Sequence, residues 1–180
     1  MKRICVLGDT HVKHWQQIST AIKSELYNSD YILHLGDFVS LELLEEFRKL
    51  SKFHGVIGNH DSPSIMVLLP KKDIVEIEGK RLGLVHGHGC LLPKGMRKGL
   101  LNRFRGEKLD AILYGHTHLM NNMVDCGTLL FNPGSAAGRF PASRMSYGIL
   151  TINGSISSEL FTVEKPFSLK NALDLATYRS

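Results

Sequence analysis

The chain has 180 residues and a formal net charge of +5, and its content of 43% hydrophobic and 22% charged residues excludes a disordered or low-complexity protein. This length fits one compact unit, so we expect residues 1–180 to form a single domain with a large core. Neither a membrane span nor the apolar part of a signal peptide is visible, which predicts a cytoplasmic protein without a membrane partner.

The first half of the chain alternates between apolar strands and amphipathic helices. A first strand over 4–7 is followed by a helix over about 14–28, and strands over 30–36 and 52–58 enclose a second helix. The two helices are indicated by apolar residues at helical spacing, Trp15, Ile18, Ile22 and Leu26 in one and Leu44, Phe47 and Leu50 in the other. This β-α-β-α-β series predicts a parallel sheet covered by helices.

The second half of the chain is predicted to be mainly β-structure. Residues 73–78 and 81–86 flank Gly79-Lys80 and indicate a hairpin, and a third helix is expected around Met96 to Phe104. Further strands are predicted over 109–114, 122–126, 128–131, 146–152 and 155–163. We interpret the tail, 165–180, as a packing helix. The predicted fold class is α/β, with two packed β-sheets flanked by helices in an α-β-β-α sandwich.

Five apolar strands end abruptly in polar side chains that could bind a metal ion. Asp9 and His11 follow the first strand two residues apart, so in an extended backbone they point to the same side. The later strands end at Asp37, Asn59, His86, His116 and His118. Because the ends of neighbouring strands meet at one edge of a sheet, these side chains are expected to converge there.

The converging side chains suit two divalent cations held close together. Asp9 and His11 would serve one ion, Asp37 could bridge to the second, Asn59 adds a neutral oxygen, and three histidines add nitrogen ligands. None of these side chains is a cysteine, which disfavours structural zinc. The ligand set suits manganese, iron, nickel, cobalt or catalytic zinc. The two carboxylates carry two negative charges, and two divalent cations carry four positive charges. A site loaded with both ions would therefore be electropositive, able to hold a phosphate oxygen and activate water.

Five motifs together resemble the signature of the calcineurin-like metallophosphoesterases. They occur in order along the chain: Gly8-Asp9-Thr10-His11, Gly36-Asp37, Gly58-Asn59-His60-Asp61, His86-Gly87-His88 and Gly115-His116-Thr117-His118. The compact length and Asn132-Pro133-Gly134-Ser135 are similar to the small bacterial and archaeal phosphodiesterase branch. The resemblance extends from about residue 3 to 163. It implies a dinuclear phosphodiesterase or phosphatase, with manganese as the first choice of metal and a phosphate ester as substrate.

The resemblance also implies roles for individual residues. Asp9, His11, Asp37 and His118 would hold the first metal, and Asp37, Asn59, His86 and His116 would hold the second. A metal-bridging hydroxide would then attack phosphorus in line. His60 is similar to the histidine that contacts the phosphate or protonates the leaving group, and Asp61 would either orient that imidazole or support the ligands from behind. Some relatives in this branch carry cysteine at the position of His60.

Other residues keep more than one interpretation. His88 is a ligand in place of His86, a phosphate contact or a loop histidine. His34 and His54 are interpreted as core or surface histidines, and 132–135 as a turn that shapes the edge of the site. A basic cluster either draws in an anionic substrate or forms a solvated helix face: Lys94, Arg97, Lys98, Arg103 and Arg105. The three cysteines are scattered, which predicts buried, unreactive thiols: Cys5, Cys90 and Cys126.

Two alternatives to a dinuclear phosphoesterase remain. The first is a protein-binding scaffold, because a eukaryotic trafficking subunit resembles this branch but has lost metal-binding histidines. The second is a single-metal hydrolase acting on a non-phosphate ester. Recognition of nucleic acid, except as a substrate, is disfavoured because no zinc-finger, RNP or helix-turn-helix pattern is present. The oligomeric state is open, a homodimer included.

Overall fold

The computed structural model describes residues 1–50, 52–90 and 95–164. These described residues contain ten strands: β1 Lys2–Leu7, β2 Tyr31–His34, β3 Phe53–Gly55, β4 Lys72–Ile77, β5 Lys80–Val85, β6 Ala111–Tyr114, β7 Asn121–Asp125, β8 Thr128–Asn132, β9 Met145–Asn153 and β10 Ser155–Val163. The helices of this part of the chain are α1 Thr20–Tyr27, α2 Leu41–Arg48, α3 Pro63–Met66 and α4 Met96–Arg103. A single 3-10 turn spans Trp15–Gln17.

The strands form two five-stranded mixed sheets. The order in the first sheet is β10-β9-β1-β2-β3, and in the second it is β4-β5-β6-β8-β7. The predicted parallel arrangement of the first half is present, since β1 pairs with β2 and β2 with β3 in parallel. In the second sheet β5, β6 and β8 are parallel, with antiparallel edge strands on both sides. The carboxyl ends of β1 and β2 therefore share one edge, as do those of β5 and β6.

Three apolar clusters arrange these sheets in layers. The first joins residues of both sheets, among them Val6 of β1, Leu84 of β5 and Phe131 of β8, so the two sheets pack face to face. The second covers the outer face of the first sheet with α1 and α2. The third packs α4, through Leu100, on the outer face of the second sheet. These layers confirm the predicted α-β-β-α sandwich.

The element bounds differ from the prediction where a polar side chain or a proline intervenes. The helix expected over 14–28 is divided, because the Ser19 side chain accepts a hydrogen bond from the Ile22 amide at 3.2 Å and caps a new start. The strand expected over 52–58 stops at Gly55, because after Val56 the chain turns away from β2 and the Ile57 amide donates to the Pro70 carbonyl at 3.0 Å. The short helix α3, which begins at Pro63, was not predicted. The tail predicted as a packing helix lies outside the described residues.

The burial of the three cysteines differs from one residue to the next. Cys5 and Cys90 are buried as expected, and burial raises the pKa of the Cys5 thiol to about 12. Cys126 is exposed, because it lies in the turn between β7 and β8, so the prediction of three buried thiols was wrong for this residue.

Within the described ranges, no helix combines the length and apolar character needed to cross a bilayer.

Candidate metal centre

Five of the seven predicted metal ligands share an unusual backbone conformation. Their φ angles lie in the left-handed region, at 52° for Asp9, 47° for His11, 61° for Asp37, 68° for His116 and 59° for His118. Only a few per cent of residues other than glycine adopt such angles, and they concentrate at functional sites, where surrounding contacts hold them. The loops that follow β1, β2 and β6 are therefore shaped around the residues that the sequence singled out.

Asp9 lies at the centre of the site and is fully buried. Its Oδ2 accepts a hydrogen bond from the His116 amide at 3.0 Å, while its Oδ1 has no hydrogen-bond partner. The Nε2 atoms of His118 and His11 lie 3.4 and 4.0 Å from Oδ1. A buried carboxylate oxygen without a donor is costly unless it binds a cation, so this atom fits the predicted metal.

Asp37 lies between the two sets of histidines. Its Oδ2 is 3.4 Å from His11 Nε2 and 3.5 Å from His86 Nε2. Its Oδ1 is occupied by the His60 amide, which donates to it at 2.8 Å. One carboxylate oxygen therefore faces imidazole nitrogens from β1 and from β5, which is the position that a bridging ligand requires.

His86 is oriented by a hydrogen bond on its other nitrogen. A backbone carbonyl can only accept, so Nδ1 of His86 carries the proton and donates to Leu35 O at 2.7 Å. This leaves a lone pair on Nε2, which lies 3.0 Å from Asn59 Oδ1. Two acceptor atoms this close fit a cation placed against both, and the pair suits the donor set of a metal site.

His118 and His11 face each other in a similar way. Nδ1 of His118 donates to the carbonyls of Arg139 and Phe140 at 3.1 and 2.9 Å, so its Nε2 is free to act as a ligand. That Nε2 lies 3.2 Å from Nε2 of His11. The Asp9 carboxylate raises the pKa of His118, whereas burial lowers the pKa of His11 to about 4, an effect to which the nearby Arg139 charge contributes. Nδ1 of His11 is buried without a partner.

In the part of the chain that the structure describes, two groups of donor atoms are compact enough to hold an ion, with all their ligand atoms within 4.8 Å of one another. The first contains Asp9, His11 and His118, and the second contains Asp9, Asp37 and His86. The residue common to both is Asp9, whereas the family resemblance gives the bridging role to Asp37. The Oδ2 atom of Asp37 nevertheless approaches one histidine of each group.

His116 and His88 lie on the His86 side of the site. The His116 ring centroid is 5.2 Å from that of His86, and His88 is 5.7 Å from His86 and 6.4 Å from His116. Burial lowers the pKa of both His116 and His88, which favours the neutral, metal-binding form. His88 belongs to neither compact donor group, and its Nδ1 is buried without a hydrogen-bond partner.

His60 and Asp61 are separated by the structure although they are adjacent in sequence. The His60 side chain is exposed, and its ring centroid is 5.4 Å from that of His11. Asp61 is buried and accepts from the amides of Gly58 at 2.8 Å, Val39 at 2.9 Å and Asp37 at 3.1 Å. Of the two roles that the resemblance implies for Asp61, these contacts fit support of the ligands from behind, because both of its oxygens accept from backbone amides around Asp37.

Two buried hydroxyl side chains hold the backbone of the site through hydrogen bonds. The Thr10 hydroxyl donates to Asp37 O at 3.0 Å and lies 3.4 Å from Nε2 of the fully buried His34. The sequence did not predict this link, although a histidine within an otherwise apolar strand was the available signal. Ser135 donates from Oγ to Asp9 O at 2.9 Å, so the turn at 132–135 does lie at the edge of the site.

Two described members of the predicted basic cluster make different contacts. Arg97 is bound by Asp125 at 2.5 and 2.7 Å, which fits the interpretation as a solvated helix face. The Arg103 side chain, at the end of α4, donates to the carbonyl of His88 at 3.4 Å and so contacts the loop that follows β5. Lys94 lies outside the described residues.

Comparisons with known proteins agree with this geometry. A model of the calcineurin-like phosphoesterase superfamily domain matches residues 1–155. A probable metallophosphoesterase of Methanocaldococcus jannaschii is 32% identical over 167 residues, which cover 90% of this chain and 82% of that protein. A phosphodiesterase of the same organism is 30% identical over 154 residues, covering 76% and 85%.

A solved structure shares the fold. Wild-type Vps29 from Entamoeba histolytica, in complex with Zn²⁺, superimposes with a TM-score of 0.71 at 28% sequence identity, covering 89% of this chain and 98% of that one. The family model spans the strands and loops that carry all seven predicted ligands. The chain therefore belongs to the calcineurin-like phosphoesterase superfamily.

Proposed function

We propose that the protein is a dinuclear metal-dependent phosphodiesterase. The observation that carries the proposal is the convergence of donor atoms on Asp9 and Asp37, which includes a buried carboxylate oxygen without a partner and two facing acceptors on His86 and Asn59. Such a set is costly in a folded protein unless it binds cations. The names of the two Methanocaldococcus relatives support phosphoesterase chemistry.

Each of the two proposed ions has four protein ligands. Asp9, His11, Asp37 and His118 would hold the first, and Asp37, Asn59, His86 and His116 the second. Manganese is the first choice by resemblance to the family, and the mixture of oxygen and imidazole donors without thiolate suits iron, nickel, cobalt and zinc as well. Bound cations would polarise the phosphoryl oxygens and lower the pKa of coordinated water towards about 7.

The protein residues around the ions bind and orient the substrate. The exposed His60 would contact the phosphate or give a proton to the departing oxygen, since its ring lies next to His11 at the open side of the site. Asp61 would hold the Asp37 loop through its three amide bonds. The Arg139 guanidinium adds positive charge near His11, which favours an anionic substrate.

The alternative is a protein-binding scaffold on the same fold. The similarity to Vps29 supports it, and the Vps29 structure in complex with Zn²⁺ means that metal binding by itself does not separate the two functions. The feature that favours an enzyme is His60, which is exposed beside the complete ligand set. A cytoplasmic location and a homodimer stay predictions.

The decisive variants are Asn59→Ala and His116→Ala. Each removes one proposed ligand of the second ion, so each should reduce manganese-dependent hydrolysis of bis(p-nitrophenyl) phosphate by at least about 100-fold. Circular dichroism and the unfolding midpoint of the metal-free variants should stay close to those of the wild type.

The matched control is His14→Ala, which removes an exposed histidine that contacts Glu42 at 3.1 Å. This variant should retain wild-type turnover. Full activity of Asn59→Ala or of His116→Ala would contradict the proposed ligand set, and a wild type without diester hydrolysis would favour the scaffold.

A further inference from the structure

The rim of the metal centre next to His118 carries exposed apolar side chains. Phe140 is 90% exposed, and Leu119 and Met120 are 55% and 46% exposed. The backbone of Phe140 is nevertheless fixed to the site, because its carbonyl accepts the hydrogen bond from His118 Nδ1 at 2.9 Å. The backbone of an exposed aromatic residue is thus bonded directly to a predicted metal ligand, while its ring faces solvent.

A pocket of about 330 Å³ opens beside the same residues. Its lining includes His118, Leu119, Met120, Pro141 and Arg144, and Phe140, which directly precedes Pro141 in the chain, is not among the lining residues. Small-molecule sites have volumes of roughly 300–1,000 Å³, so this pocket is large enough for a small substrate group. Its walls combine apolar side chains with Ser143, Ser146 and Thr162. Arg144, its cationic residue, lies 3.2 Å from the exposed carboxylate of Glu164.

The segment that carries Phe140 is also tied to the centre of the site. Ser135 Oγ accepts from the Arg139 amide at 3.2 Å and donates to the carbonyl of Asp9 at 2.9 Å. The carbonyl of Ser135 accepts from the Gly138 amide at 3.0 Å. The backbone at Phe140 is therefore positioned by hydrogen bonds that run to Asp9 through Ser135 and to His118 directly. These bonds keep the backbone of the rim preorganised.

We infer that Phe140 and this pocket form the subsite for a planar aromatic ester group that the phosphodiester retains after cleavage. This inference rests on the proposed function. In the reaction, the oxygen of water bonds to phosphorus, the bond from phosphorus to the leaving oxygen breaks, and that oxygen takes a proton. The retained ester group stays on the monoester product.

The assignment to the retained group follows from the places of His60 and the Phe140 backbone around His11. The ring of His60, the predicted proton donor to the leaving group, lies 5.4 Å from the His11 ring. A separate neighbour of His11, the His118 ring at 5.2 Å, is the one whose Nδ1 donates to the Phe140 carbonyl. An exposed aromatic ring gains most by stacking on another flat ring. Phe140 thus determines specificity for the ester group and does not touch the reacting atoms.

The test compares two substrates with the same leaving group and different retained groups. Bis(p-nitrophenyl) phosphate retains an aryl group, and methyl p-nitrophenyl phosphate retains a methyl group. The ratio of kcat/KM for the first to kcat/KM for the second should fall about tenfold in Phe140→Ala and be restored in Phe140→Tyr, as expected for loss and recovery of one stacking contact. Intrinsic reactivity differences between the substrates cancel in this comparison.

Tyr27→Ala is the matched control, because Tyr27 is an exposed aromatic residue at the end of α1, on the edge of the sheet opposite the site. It should leave the ratio unchanged. A second measurement is independent of turnover: calorimetric binding of phenylphosphonate and methylphosphonate to the manganese-loaded proteins. The wild type should prefer the phenyl compound, and Phe140→Ala should lose that preference.

The outcomes separate the two proposals. If the wild type hydrolyses neither diester with any metal, the proposed function fails, and the phosphonate preference still decides the subsite. If hydrolysis is efficient but the selectivity of Phe140→Ala equals that of the wild type in both assays, the subsite alone is refuted. An equal loss of kcat/KM for both substrates would also refute it, because the two share the phosphoryl centre and the leaving group and differ only in the retained group.

Discussion

His34 shows how a buried histidine outside the ligand set supports the site. The Gly36 amide donates to its Nδ1 at 3.2 Å, so the ring proton is on Nε2, which faces the Thr10 hydroxyl. That hydroxyl in turn donates to the carbonyl of Asp37. This chain of hydrogen bonds joins the loops after β1 and β2, and it requires a neutral imidazole, since a second ring proton would point at the Gly36 N–H.

The neutral form of His34 predicts a pH dependence of stability. Burial lowers the pKa of His34 well below its ordinary value, whereas an unfolded histidine titrates near 6.5. Below pH 6.5 the unfolded state therefore binds more protons than the folded state. The contribution of neutral His34 to stability is complete above this pH and is lost as the pH falls. Between pH 6 and 5, the free energy of unfolding of metal-free wild type should fall more steeply than that of His34→Gln, by up to about 1.4 kcal/mol per pH unit.

Urea unfolding in the presence of a chelator measures these slopes. The other histidines of the site contribute equally to both proteins, so the difference isolates His34. Equal slopes, or an NMR titration in which the His34 ring protonates near pH 6.5, would contradict the tautomer derived from the hydrogen bonds.

The sequence was informative about residues whose positions depend only on strand ends. Asp9, His11, Asp37, His86 and His118 converge as predicted because each follows a strand whose neighbours were recognisable from apolar runs. The role of Asp61 could not be predicted in the same way. Its partners are backbone amides brought together by loop shapes, and no side-chain pattern in the sequence reports where those amides point.

At the scale of elements, the strand-end loops fit together through close backbone contacts. A Cβ atom on Gly58 would lie 2.5 Å from Asp37 N and 2.7 Å from Asp37 Cγ. Both distances are shorter than real Cβ contacts, and the obstructing atoms belong to a residue that is itself hydrogen-bonded in place. A glycine is therefore required where the chain leaves β3 beside the Asp37 loop.

Gly58→Ala should consequently displace Asp37 and weaken metal binding. We expect a loss of about 10- to 100-fold in manganese affinity or in turnover, as for other residues that position metal ligands. Gly79→Ala is the control, because Gly79 has a φ of +72° in a hairpin turn. A Cβ atom added there would have no atom of a non-adjacent residue within 4 Å. It should cost about 1 kcal/mol of stability and leave turnover intact. Wild-type manganese affinity in Gly58→Ala would contradict the packing argument.

Element bounds were predictable only where hydrophobic periodicity was uninterrupted. The four parallel strands that carry the site, β1, β2, β5 and β6, were found from continuous apolar runs. The division of the first helix depends on the side chain of Ser19 acting as a cap, which competes with a periodicity that by itself continues from Trp15 to Leu26. The helix α3 is a single turn, too short to produce a periodic signal.

For the whole molecule, the arrangement of the two sheets explains how ligands distant in sequence come together. Asp9 and Asp37 come from one sheet, and His86, His116 and His118 come from the other, so the site spans the edge of the sandwich. The layering was predictable because strands and helices alternate in the first half and hairpins dominate the second. The strand order and the pocket next to His118 were not, since both depend on packing between segments far apart along the chain.

The central claim is that this edge binds two cations and uses them to hydrolyse a phosphodiester. The most direct measurement titrates metal-free protein with manganese and follows hydrolysis of bis(p-nitrophenyl) phosphate together with the number of ions bound per chain. We predict that turnover appears with the ions and reaches its plateau at two equivalents. Saturation at one equivalent, or two bound ions without any turnover, would contradict the account.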